Sequence, residues 1–118
     1  MNAGVREWYD ATGPNEMFLS VITVGEIRRG IEQKRINDPL QAAALDAWME
    51  RMQATFAGHI RPVTKQIADR WGRIAPSQPL PDADGLIAAT ALVDDLTLVT
   101  RNVADFERSG VRVLNPWK

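Results

Sequence analysis

Apolar positions along this chain alternate between series at helical spacing and short continuous runs. Residues 3–12 (AGVREWYDAT) predict a short helix, ended by the breaker pair Gly13-Pro14. The run MFLSVI (17–22) predicts a buried strand. Thr23 then opens a helix in which Val24, Ile27 and Ile31 recur on one face. Asp38-Pro39 is a cap followed by proline at the first helical position. The helix it starts runs to about Ala57, with a stripe of Leu45, Trp48, Met49, Met52 and Phe56, and Gly58 stops it. Residues 59–63 predict a short strand, and Thr64 caps a helix holding Ile67, Ala68, Trp71 and Ile74. After the turn-rich PSQPLPDADG come a small-residue helix (84–93), a strand (96–100), one or two helical turns (102–108) and a last strand (111–114). Strands and helices alternate throughout, which predicts an α/β domain with a parallel sheet covered on both faces. With no repeat or linker, residues 1–118 are expected to form one domain.

Composition narrows the function classes. Hydrophobic residues make up 45% and charged residues 25%, the balance of a soluble globular protein. No apolar run approaches the roughly 20 residues of a membrane span, and the start MNAGVREWYD has no export-type apolar region. Together with the absence of cysteine this predicts a cytoplasmic protein, and it excludes disulfide frameworks and cysteine-based sites. One histidine, His59, gives little support to a histidine-built zinc site or a Ser-His-Asp arrangement. Fourteen Lys and Arg stand against 15 Asp and Glu, so no basic excess marks a nucleic-acid partner. Balance still admits a nucleic-acid enzyme, because a carboxylate-bound metal supplies positive charge of its own. Any chemistry must come mainly from carboxylates.

In a parallel α/β sheet, sites form where strands end and the next helices begin. That selects 22–26, 80–85 and 100–105, each with an acidic residue. Glu26 also fits a structural role, closing a capping box with Thr23. Asp82 after Pro81 is a natural cap, and Asp84 beside Gly85 is either cap or ligand. Asn102 and Asp105 form another capping pattern, directly after the strand LTLVT. Oxygen donors without a Cys or His cluster point to a hard cation, Mg²⁺ or Mn²⁺. Arg28, Arg29, Lys34, Arg35 and Arg101 are candidate phosphate contacts or simply a solvated face.

Four segments, LSVITVGEIRRG (19–30), DADGLIAATAL (82–92), LTLVTRNVADFE (96–107) and VLNPW (113–117), together resemble PIN-domain toxins of the VapBC family, nearest the FitB-like branch. The resemblance implies a three-layer α/β/α sandwich and a Mg²⁺- or Mn²⁺-dependent endoribonuclease. It implies a VapB-like antitoxin and a second copy of the chain as partners. On it, Glu26, Asp84 and Asp105 match acidic metal positions, Asn102 joins the last cluster, and Thr100 matches a residue that helps hold metal-bound water. The family's first, central strand, which ends in an Asp ligand, has no counterpart here. The expected sheet therefore lacks that strand, with 17–22 and 96–100 flanking the slot, and the chain as it stands is expected to be nearly inactive as a ribonuclease. A different function class, a remnant that binds an antitoxin or dimerises without cutting RNA, is the alternative. An unrelated small α/β binding domain would require all four matches to be accidental.

Overall fold

The computed structural model describes residues 2–117. The described chain runs α1 (Ala3–Thr12), β1 (Leu19–Ser20), α2 (Val21–Asn37), α3 (Pro39–Thr55), β2 (Ile60–Arg61), α4 (Lys65–Arg73), α5 (Asp82–Val93), β3 (Leu98–Val99), α6 (Val103–Phe106) and β4 (Val113–Leu114), with 3₁₀ turns at Pro14–Glu16 and Glu107–Ser109. It divides into two compact units, Pro14–Pro62 and Met1–Gly13 with Val63–Lys118.

In the unit Pro14–Pro62, β1 and β2 pair in parallel, Leu19 opposite Ile60. A parallel pair needs a crossover, and the α2–α3 hairpin supplies it. Ile31, Ala42 and Met49 are buried between the two helices, with Val24, Ile27, Leu45 and Met52 packed around them. Arg28 reaches Asp46 across the hairpin at 2.7 Å and Glu32 within α2 at 3.0 Å. Arg35 holds both Asp46 oxygens at 2.8 Å and Glu32 at 2.9 Å. These bonds, from Arg28 first for Asp46 and from Arg35 first for Glu32, lower both carboxyl pKa values.

Two expectations change here. The apolar run 17–22 forms only the two-residue β1, and α2 begins at Val21 rather than at Thr23. The physical reason is Ser20, whose hydroxyl accepts the Ile22 N–H at 3.1 Å and so caps the helix three residues early. Thr23 and Glu26 therefore lie inside α2, and no capping box joins them.

The other unit carries the larger core, with Ile67, Leu80, Ala88, Ala89, Phe106 and Val111 buried. Thr64 caps α4 through the Ile67 N–H as its sequence predicts. Strands β3 and β4 pair in parallel, Leu98 opposite Val113. Backbone bonds from Leu98 N to Arg112 O at 2.8 Å and Thr100 N to Leu114 O at 3.0 Å extend the ladder. Among the described residues the strands form two two-stranded sheets, β1–β2 and β3–β4. Residues 3–12 form α1 and 14–16 a 3₁₀ turn, and no strand precedes β1 among the described residues.

Candidate functional site

The sequence-selected donors fall as follows. Glu26 is exposed on α2, in the unit Pro14–Pro62. Asp84, Thr100, Asn102 and Asp105 all belong to the other unit, at the openings of two helices.

Asp84 is the third residue of α5 and is half-buried. Pro81 holds the cap position and makes no side-chain cap bond, which corrects the expectation that Asp82 is the cap. Asp82 and Asp84 instead occupy the first turn, where carboxylates face the positive end of the helix dipole. The helix persists without a side-chain cap because its far face is deeply buried: Ala88 and Ala89 are fully enclosed. Thr90, also buried, donates its hydroxyl back to Leu86 O at 2.8 Å. Small residues let α5 lie close to α4, and Gly85 faces Trp71. A Cβ there would stand 2.8 Å from Trp71 Cδ1 and 2.9 Å from Nε1, so the indole edge lies on the first turn of α5. Sequence patterning reads Trp71 only as an apolar helix position and does not reveal this contact.

The second opening follows β3. Thr100 continues the ladder, and its Oγ1 accepts the Asn102 N–H at 3.1 Å, bending the chain into α6. Asn102 occupies the cap position through its backbone, since Asp105 N–H donates to Asn102 O at 3.2 Å and no side-chain cap bond forms. That leaves the exposed Asn102 and Asp105 side chains without the capping duty their pattern predicts. The Arg101 guanidinium lies 6.0 Å from the Trp117 ring centroid. Arg28 and Arg35, by contrast, are bound to Glu32 and Asp46.

This unit's donor set is all oxygen, which in kind suits Mg²⁺ or Mn²⁺. Among the described residues, no three His, Cys, Asp or Glu side chains gather into a group able to hold a metal ion. No described helix is long and apolar enough to cross a membrane.

Comparison with known proteins decides the family. The model of the PIN domain matches residues 2–110. The chain belongs to the PIN-domain family. This PIN domain is 31% identical to the toxin FitB of Neisseria gonorrhoeae (strain ATCC 700825 / FA 1090), over 98% of the chain and 86% of that protein. It is 31% identical to the VapC ribonuclease Y4jK of Sinorhizobium fredii (strain NBRC 101917 / NGR234), over 97% of the chain and 84% of the relative. The crystal structure of FitAcB from Neisseria gonorrhoeae superposes with a TM-score of 0.87 at 32% identity, covering 98% of this chain and 86% of that one. The PIN-like α/β fold and the VapC/FitB kinship read from the four segments are therefore shown.

Proposed function

We propose that this PIN domain is a metal-dependent endoribonuclease, the toxin of a toxin–antitoxin pair, hydrolysing RNA phosphodiester bonds. The observation that carries this reading is the pair Asp84 and Asp105, each third in its helix and, among the described residues, with a carboxylate that no other side chain holds. Kinship with a VapC ribonuclease supports the same chemistry.

Asp84 and Asp105 would hold Mg²⁺ or Mn²⁺. One or two carboxylates are enough for Mg²⁺, which keeps several waters and takes further oxygens from substrate phosphate. When bound, the ion supplies polarisation of the scissile phosphate and a nucleophilic water near neutral pH. The protein's part is placement. Helix α5 carries Asp84 on a rigid, buried element. The Thr100–Asn102 bond fixes the turn that carries Asp105, and it leaves the Thr100 O–H as a donor toward water or phosphate. Arg101, in the same turn, is the cation proposed to meet the RNA backbone. A VapB-like antitoxin and a second copy of the chain are the proposed partners.

The test is cleavage of a structured RNA with Mg²⁺ or Mn²⁺, with and without chelator. Whatever metal-dependent cutting the chain shows, however slow, should disappear with chelator and with Asp84→Asn or Asp105→Asn. Glu26→Gln tests separately whether the carboxylate on α2 is needed. Cleavage that persists in chelator, or Asp84→Asn cutting at full rate, sinks the metal reading. A chain that binds its antitoxin yet cuts nothing is the non-catalytic alternative.

A further inference from the structure

Between α4 and α5 lies a cavity of about 240 Å³ whose walls include Trp71, Ile74, Pro76, Pro79, Leu80 and Asp82. Ile74 and Leu80, both buried, provide apolar surface. Pro76 and Pro79 have fixed φ and few conformations to lose. Their loop is pinned from outside: the Arg108 guanidinium donates to Gln78 O at 2.9 Å and to Pro79 O at 3.4 Å. The indole edge of Trp71 is seated on Gly85, a contact that no residue with a Cβ allows without displacement. A pocket held this way needs little ordering when a ligand enters.

Its size and lining limit the occupant. The volume falls below the roughly 300–1,000 Å³ typical of drug-sized ligands, which leaves room for one flat ring system. An aromatic wall suits a stacked unpaired base, the usual way proteins grip single-stranded RNA. Among the lining side chains Asp82 brings a carboxylate, an acceptor only when ionised, and Trp71 an indole N–H that lies beside Gly85. Guanine alone among the four RNA bases offers two adjacent donors, N1–H and the 2-amino group, which match both oxygens of a carboxylate. Adenine and cytosine place a ring acceptor beside their amine, and uracil has one N–H between two carbonyls. Asp82 is the first residue of α5, so a base held by it would lie at the start of that helix.

We propose that this cavity is a guanine subsite, with Trp71 as stacking wall and Asp82 as the group that reads the base edge. The proposal rests on the ribonuclease reading for its substrate class, but its test requires no cutting. The 118-residue chain, labelled with ¹⁵N at its indoles, is titrated separately with GMP, IMP, AMP, CMP and UMP. The Trp71 indole signal is identified from its loss in Trp71→Phe. GMP should shift that signal saturably. IMP, which lacks only the 2-amino group, should bind roughly tenfold more weakly, the effect of one lost charge-assisted bond. Asp82→Asn should weaken GMP by a similar factor. Equal affinity for GMP and IMP in the unmutated chain overturns the proposal without recourse to any variant. So does tighter binding of another nucleotide. Indifference of Trp71 to all five nucleotides would also overturn it. Failure of RNA cleavage with a saturable GMP shift would instead count against the ribonuclease reading alone.

Discussion

Asp84 and Gly85 are neighbours under different constraints, and substitutions separate them. Asp84→Asn keeps shape and removes a charge that the helix dipole favours by about 0.3–1 kcal/mol. Stability measured by denaturant melts should therefore fall by no more than about 1 kcal/mol. Cleavage, if Asp84 places the metal and attacking water, should fall on the order of a hundredfold or more. A variant that loses both together would mark Asp84 as structural. Gly85→Ala sets two opposing effects against each other. Alanine gains about 0.8–1 kcal/mol of helix propensity over glycine, yet its methyl would stand 2.8 Å from Trp71 Cδ1. Overpacking of this kind costs about 1–3 kcal/mol, so the clash should win by about 1 kcal/mol. Trp71, 37% exposed, has room to swing outward. The expected result is a modestly lower Tm and a displaced Trp71 indole resonance; a raised Tm with an unmoved resonance would show that the contact is slack.

At the scale of elements, α2 gives the sharpest test. Its cap is Ser20, so Ser20→Ala should cost about 1 kcal/mol while Thr23→Ala costs a few tenths at most. The reverse order in thermal melts would restore the start at Thr23. The hairpin of α2 and α3 should also be acid-sensitive. Asp46, held first by Arg28, and Glu32, held first by Arg35, have folded pKa values below their ordinary 3.8 and 4.5. Depressed carboxylate values stabilise the fold in full above the ordinary range, and that share is lost as pH falls through the folded values. Asp46→Asn should therefore lower stability near pH 7 but flatten its decline below about pH 4.5, read by helical circular dichroism during melts. An unchanged acid limb would mean the arginines hold no net advantage at this half-exposed site. The helices were legible in sequence because caps and stripes are local: Asp38 and Thr64 each cap the helix that follows them. Strands were legible only as places. Each pairs over two residues, and the length of an apolar run says nothing of how far its partner extends. At 19–26 two hydroxyls competed for one helix start, and the apolar run hid the earlier one. The places of Asp84 and Asp105, in the first turns of α5 and α6, were legible because helix starts are. The Trp71–Gly85 contact and its cavity were not, because they arise from how closely α4 meets α5.

At the scale of the whole molecule, charge sets an expectation about how RNA is held. The chain carries 14 basic and 15 acidic residues, and Arg28, Arg35, Arg73 and Arg112 are each bound to a carboxylate. Affinity for a polyanion from a broad basic surface is thus not available, and few phosphates should be neutralised by the protein itself. Counterion release then gives a shallow salt dependence. For single-stranded RNA the slope of log K against log salt is about −0.7 per phosphate contact, so two to four contacts predict a slope between about −1.4 and −2.8. Much of the attraction would come from the metal, whose charge replaces the missing basic excess. Binding should accordingly weaken on chelation. It should weaken in the same sense in Asp105→Asn, with Arg101→Ala making the slope shallower by roughly one contact. The measurement is fluorescence anisotropy of a short labelled RNA across a salt series, in Ca²⁺ to suppress cutting and again in chelator. A slope steeper than about −4, unaffected by chelator, would reveal a basic surface that these ion pairs conceal. It would move the RNA-binding face away from the openings of α5 and α6.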